Sequence, residues 1–342
     1  MKSIVKIISL LFIIISAIFC WNAFGPLVSA PVDKYFYIKS KSNYEEVKEN
    51  LIAQKIISHS FFFDIFSKVI DYPKNIKSGK YEFSNNSNLF SLLRKLKSGR
   101  QAEVRLVINK LRTKENLAKK ISENFEVDSS EIIQFLLSND SLAPYHLDTN
   151  TVMSIIIPNS YLFIWNSSFN KIFSRLKKQH DYFWEGKRTI QAKKLGFTAE
   201  QIYIIASIVE EETNMEDDKP KIASVYINRL KKGMKLQADP TVKYALRQFE
   251  LKRILHGHLT FPSSYNTYQT SRLPPGPICT PSINTIDAVL NAPITDYIFF
   301  VAKSDFSGYS VFSSNYSDHL INAKKYQQAL DTLLMNKSLK NK

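Results

Sequence analysis

Cysteine is nearly absent from these 342 residues: there are two, Cys20 and Cys279. Cys20 lies inside an apolar run, so no disulfide framework is available to hold the fold. Histidine is as sparse, six in all, with no ligand spacing beyond His256-x-His258 and no Cys–His cluster, so no metal site is expected. Acidic residues are in deficit, 31 against 46 Lys and Arg, leaving a net charge of +15 that favours anionic partners. Yet dense basic blocks are missing, as are zinc-finger and RNA-recognition signatures. Those absences argue against nucleic acid and for a membrane surface or an acidic polymer. What remains is ordinary for a folded protein. The apolar fraction of 44% supports a real core, and the length allows two domains or one domain with an extension. Most of the 23 Phe, 17 Tyr and 3 Trp are expected in that core, although aromatic faces also bind sugars.

The N-terminus carries a long hydrophobic run. Lys2 and Lys6 precede Ile7–Phe24, interrupted only by Ser9, Ser16 and Asn22. This is near the minimum for a membrane helix and longer than a usual signal-peptide core. Phe19 before Cys20 argues against a lipoprotein site, while Val28-Ser29-Ala30 offers a signal-peptidase alternative. An uncleaved signal anchor is expected, with its amino end cytoplasmic and the rest of the chain outside.

Beyond it, Tyr35–Lys39 alternates like a strand, and Ser42-Asn43-Tyr44-Glu45 reads as a capping box opening a helix through Leu51. Gly79–Phe83 reads as turn and strand, followed by a helix from Ser87 through Leu96 closed by Gly99. These two strand–helix units predict a small α/β module over roughly 35–105. Val104–Ile108 looks like a strand leading out of it. Residues 113–140 are helix-periodic, a basic helix follows within 158–190, and Lys187–Gly196 is polar enough to be an exposed connection.

The chemistry-bearing residues gather further on. Thr198-Ala199-Glu200-Gln201 is a capping box opening a helix from Ile202 to Thr213, with an apolar stripe of Ile202, Ile205, Ala206 and Val209. At its end stand Glu210, Glu211 and Glu212. On a helical wheel Glu211 points nearly opposite the stripe, Glu210 lies well off it and Glu212 nearer its edge. A carboxyl ending a buried helix has its charged form disfavoured, which suits a general acid, but a solvated acidic run is the better reading from this stretch alone. Ile222–Leu230 is a helix ending near Gly233. Gln237-Ala238-Asp239-Pro240-Thr241 reads as an extended segment, with Asp239 a turn residue and Pro240 a helix breaker. Tyr265-Asn266-Thr267-Tyr268, before the rigid Leu273-Pro274-Pro275-Gly276-Pro277, offers flat faces beside donors and acceptors, as sugar hydroxyls require.

Taken together and in order, Ala206–Thr213, Ala223–Leu230, Leu236–Val242, Tyr265–Tyr268, Leu273–Pro277, Phe299–Ala302 and Phe312–His319 closely resemble the endolytic murein transglycosylases of the YceG-like family. The resemblance covers the whole chain and is strongest over 200–320. It implies an α+β protein: an N-terminal membrane helix (1–30), a small LysM-like α/β subdomain (31–108), a helical connecting region (109–196), a mixed α/β catalytic core (197–330) and a basic tail (331–342). It also implies a catalytic glutamate, and the Glu212-Thr213 pair, similar to the Glu-Ser ending the catalytic helix of soluble lytic transglycosylases, points to Glu212. Glu210, Gln237, Asp239, Thr241, Tyr265, Asn266 and Thr267 are the candidates for binding substrate or supporting the acid. No cofactor is implied. The implied partners are peptidoglycan glycan strands, the cell membrane and cell-wall synthases, with no nucleic acid. Rival readings are a hydrolytic muramidase using Asp239 as second carboxylate and a non-catalytic glycan-binding scaffold. The sequence departs from the family pattern at Asn109-Lys110-Leu111 and Asn159–Asn166, which puts substrate contacts at 109–113 and 159–166 in doubt.

Overall fold

The computed structural model describes residues 2–58 and 60–340 and divides into two compact units. The first comprises residues up to Leu106 together with Ile121–Asp128 and Tyr161–Phe169; the second takes the rest. The first unit opens with α1 (Lys2–Phe24), almost wholly exposed and long and apolar enough to cross a membrane, as an anchor or a signal sequence would be. At 1.5 Å per residue it reaches about 35 Å, enough for a hydrocarbon core of about 30 Å.

After α1 come β1 (Tyr35–Ile38), α2 (Tyr44–Ala53), α3 (Ser60–Val69), β2 (Gly79–Glu82) and α4 (Leu89–Ser98). β1 and β2 pair antiparallel, Tyr35 opposite Glu82 and Ile38 opposite Gly79. Phe36, Ile38 and Tyr81 point inward to meet Leu51, Phe63, Phe66, Leu92, Leu93 and Leu96. Two predicted caps move by one residue. Asn43, not Ser42, caps α2 in a reciprocal box with Glu46, and Asn88, not Ser87, caps α4. Asparagine is as good a cap as serine, so adjacent Ser-Asn pairs leave the choice to packing. Gly99 closes α4 at φ 72°, as predicted. Helix α3 was not foreseen, because its Phe61-Phe62-Phe63 run masks the helical period.

The strand β3 (Glu103–Ile108) pairs with β4 (Asn159–Ile164), and the helix-periodic stretch between them breaks into α5 (Lys114–Ser122), α6 (Ser129–Leu136) and α7 (Asn139–Leu142). Then follow α8 (Phe169–Trp184), α9 (Lys187–Leu195), α10 (Ala199–Glu212), α11 (Lys219–Lys231), α12 (Asp239–Leu246), α13 (His256–Leu259), α14 (Ile283–Leu290), the antiparallel hairpin β5 (Phe299–Ala302) and β6 (Ser310–Ser313), and α15 (Tyr316–Lys340). Lys187–Gly196 is thus a helix, not an exposed connection. It buries little beyond Ala192 and is held by polar pairs instead, with Arg188 bidentate on Asp287 and Gln191 on Asn291. Pro240 does not break a helix but sits in the first turn of α12, where its missing N–H is not needed. The stretch from 331, expected as a basic tail, is helical through Lys340, and 341–342 lie outside the described residues.

Helix α10 organises the second unit. The Thr198–Gln201 capping box forms as predicted, and every residue from Ile202 to Val209 is buried. It packs against α9, α11, α12 and α14. The Ser207 hydroxyl accepts from the Ile278 amide at 3.1 Å, fixing the loop after the proline run onto the helix. Gly276 is needed in that loop, since a Cβ there would come within 2.0 Å of the Asn150 carbonyl oxygen.

Candidate active site

Three glutamates end α10, and successive residues on a helix turn about 100° apart, so each meets different surroundings. Glu210 faces the start of α14, where its carboxylate accepts from Ser282 Oγ at 3.0 Å and from the Thr285 hydroxyl, with Lys219 Nζ at 3.5 Å. Glu211 does face away from the helix stripe, but not into water. Arg112 grips it with bonds of 2.9 and 3.1 Å, and Lys110 adds a contact at 3.3 Å. Burial acts to raise its pKa, but the Arg112 and Lys110 cations hold it below the usual carboxylate range.

Glu212 faces a third setting. It opens into a cleft of about 320 Å³ lined also by Arg229, Leu236, Gln237, Asp239, Tyr268, Phe300 and His319. Tyr226, buried in α11, donates from its hydroxyl to Glu212 Oε1 at 2.6 Å. Burial pushes the Glu212 carboxyl up to about 7, and the charge of Asp239 adds to the rise. The Tyr226 hydrogen bond and the charges of Lys243 and Arg229 oppose it. A carboxylic acid poised near neutrality can both give and retake a proton at working pH.

The opposite wall is built by the 236–241 segment. Gln237 adopts φ 51°, a left-handed turn that precedes Asp239 at the start of α12. Behind it, Thr267 Oγ1 accepts from the Ala238 amide at 3.0 Å and shares a hydrogen bond of 2.9 Å with Thr241 Oγ1. Both threonines are fully buried, as is Asn266, whose amide nitrogen donates to the Leu259 and Phe261 carbonyls. Tyr265 packs against Tyr244 with ring centroids 4.8 Å apart and the planes tilted by 41°. Of the candidates read from the sequence, Glu212, Gln237 and Asp239 therefore come together in the cleft. Thr241, Tyr265, Asn266 and Thr267 brace its wall from behind, and Glu210 serves the α10–α14 junction.

Several cleft residues were not singled out by sequence reasoning. Tyr268 donates to Asp239 Oδ1 at 2.7 Å. It closes the Tyr265–Tyr268 motif, but nothing in a loop sequence says which of its side chains faces outward. Arg229 is largely buried, and its guanidinium donates to the Ile298 and Leu236 carbonyls, each at 2.7 Å. That spans β5 and the 236–241 wall while leaving a cation beside the cleft. Burial lowers its pKa and that of His319, which stacks on Phe299 at 5.0 Å. Tyr226 and Arg229 are one helical turn apart in α11, the only signal that could have paired them. The suspect 109–113 segment contributes Arg112 and Lys110 to Glu211 rather than to the cleft.

Comparison with known proteins now adds to the geometry. A family model for the YceG-like family matches residues 36–325. An endolytic murein transglycosylase from Bacillus subtilis is 37% identical over 161 residues, 47% of this chain and 44% of the relative. One from Streptococcus pneumoniae is 24% identical over 323 residues, 82% of this chain and 56% of the relative. The chain thus spans about half the length of the curated relatives it matches. The crystal structure of a YceG-like protein from Listeria monocytogenes matches with a TM-score of 0.54 at 26% identity, covering 83% of this chain and 97% of that one.

Proposed function

The chain belongs to the YceG-like family, and from that premise we propose that it is a membrane-anchored endolytic transglycosylase of peptidoglycan, with Glu212 as its catalytic acid and base. The observation that carries the reading is the Glu212 carboxyl, raised to about 7 in a cleft beside Gln237, Asp239 and Tyr268. The relatives that the chain matches are endolytic murein transglycosylases, which supports the substrate.

The reaction cleaves the β-1,4 bond between N-acetylmuramic acid and N-acetylglucosamine without water. Protonated Glu212 donates to the glycosidic oxygen as the bond breaks toward an oxocarbenium-like state. The carboxylate left behind takes the proton of the C6 hydroxyl of the same muramic sugar, whose oxygen closes a 1,6-anhydro ring. The proton balance returns Glu212 to its starting form, so one carboxyl suffices where ordinary glycosidases use two. Tyr226 orients the carboxyl by holding Oε1, so that Oε2 carries the proton. Gln237, Asp239 and Tyr268 supply polar contacts to the sugar, and Thr241, Asn266 and Thr267 support the wall that presents them. The 31–108 region, with its own core, is the LysM-like glycan-binding part. The 109–196 region connects it to the catalytic core of 197–330. α1 holds the enzyme in the cell membrane with the cleft outside. There, cuts near wall synthases would terminate growing strands.

Asp239 in the same cleft favours a second reading, hydrolysis by a two-carboxylate muramidase. Digestion in heavy-oxygen water separates the two. Anhydro ends without label are expected, and labelled, reducible ends as the main product would turn the enzyme into a hydrolase.

A further inference from the structure

Helix α3 buries one apolar face fully and a second only in part, since Phe62 and Ile65 pack against the core while Phe61 and Val69 do not. Phe63, Phe66 and Ser67 pack into the core of the first unit. Phe61, Ile65 and Val69, spaced four apart, form a second stripe; Phe61 is 66% and Val69 75% exposed, while Ile65 and Phe62 are half-buried. The acidic residue of the helix, Asp64, is occupied elsewhere, accepting from the Tyr44 hydroxyl at 2.7 Å and lying 3.3 Å from Lys48 Nζ. The free face therefore carries aromatic and aliphatic groups with the exposed Lys68 and no negative charge.

Its place along α1 decides what covers it. Phe19 of α1 packs edge-on against Phe66 at 4.8 Å and Phe62 at 6.5 Å. Phe19 lies five residues before the end of α1, about 7.5 Å back along the apolar run at 1.5 Å per residue. Phe24 meets Phe90 at 5.7 Å, and Trp21 stays exposed, as interfacial tryptophans are. A groove of about 210 Å³ between Asn22, Leu27, Val28, Ile57, Phe62 and Leu89 continues the apolar surface from α1 onto the folded unit. Interfacial helices seat their apolar faces about 5–10 Å into the headgroup–acyl boundary, a range that includes the distance of Phe19 from the end of α1.

We propose that α3 is a second membrane element, its Phe61–Ile65–Val69 face lying in the interface of the bilayer that α1 crosses, with Lys68 toward anionic headgroups. The inference rests on the anchor reading of α1. It means that the first unit is seated on the membrane rather than tethered to it by a flexible stalk. Phe61 and Val69 then exchange exposure to water for burial in the acyl boundary, and the groove beside Phe62 takes part of a lipid chain.

The test uses the full chain, reconstituted in vesicles containing anionic lipid, in a Cys20→Ser background where Cys279 is buried. A polarity-sensitive fluorophore is placed in turn at Ile13→Cys, Phe61→Cys and Val69→Cys, all exposed positions, and melting curves confirm folding. Lipids carrying a nitroxide near the headgroup are compared with lipids carrying it deep in the chain. Labels at 61 and 69 are expected to lose more fluorescence to the shallow nitroxide, and the label at 13 more to the deep one. Quenching at 13 with none at 61 and 69 overturns the seating of α3 and leaves the anchor intact. No quenching at 13 overturns the anchor, and this inference with it.

Discussion

Replacing Tyr226 with Phe should make the enzyme relatively better at alkaline pH. The hydroxyl donates to Glu212 Oε1 at 2.6 Å. Hydrogen bonds to charged groups contribute about 1.5–3 kcal/mol and those to neutral groups about 0.5–1.5, so this one favours the ionised carboxyl by roughly 1–1.5 kcal/mol. Deleting it should raise the Glu212 pKa by about one unit, at about 1.36 kcal/mol per unit. The acid form begins the reaction, so activity falls as pH rises through that pKa, and the alkaline midpoint should move from about 7 to about 8. At pH 8 about a tenth of the wild-type carboxyl would be protonated against about half in the variant, roughly a fivefold gain relative to each enzyme's own acid plateau. The assay is the initial rate of anhydro-product release from defined glycan strands between pH 5 and 9. A plain packing defect would lower the plateau without moving the midpoint. If Tyr226→Phe melts like wild type and its normalised alkaline limb stays put or shifts downward, the proton is not held as argued here.

Asp239→Asn removes the charge that raises Glu212 and should shift the same limb the other way, toward lower pH, with reduced but measurable turnover. Glu212→Gln should lower turnover by at least the roughly 10²–10⁴ associated with general acid–base catalysis; a folded variant retaining more than about a tenth of wild-type rate would remove Glu212 as the acid. The same substitution should stabilise the fold in alkali. The folded carboxyl keeps its proton up to about pH 7 whereas an unfolded one releases it near 4.5, so wild-type stability declines across that window, by about 3 kcal/mol, and Gln has no such decline. The gain in melting temperature over wild type should therefore be larger at pH 8 than at pH 5; an equal gain at both would refute the raised pKa. Glu211→Gln leaves Arg112 and Lys110 short of their partner and should lower the melting temperature while leaving the alkaline midpoint unmoved.

How much of this was legible beforehand follows the reach of each interaction. Thr198 and Gln201 are three residues apart, so the start of α10 could be read directly, and its apolar stripe aimed Glu212 at the inner side. The α9 helix could not be read, because the Arg188–Asp287 pair that holds it joins residues 99 apart. Pro240 misled because the same ring that breaks a helix interior is at home in its first turn. In the cleft, Glu212 and Asp239 were singled out by the family resemblance, since alone they read as an acidic helix end and a turn residue. Tyr226 and Arg229 were not, since their roles arise only when α11 lies against α10. Glu211 is the instructive middle case: its direction on the wheel was right, and only the third dimension supplied Arg112.

The end of α10 works like a compass with three bearings. Glu210 is tied to α14, Glu211 to Arg112, and the fixed angle between neighbouring residues leaves Glu212 one heading, into the cleft. Deleting one residue of the helix before Glu210 would turn all three by about 100° and leave Thr213 where the acid belongs. Such a deletion in α10 should thus be far more damaging than any single substitution outside Glu212, even though the helix would remain equally apolar and equally long within one residue. The aim of the reacting group is stored in its two silent neighbours.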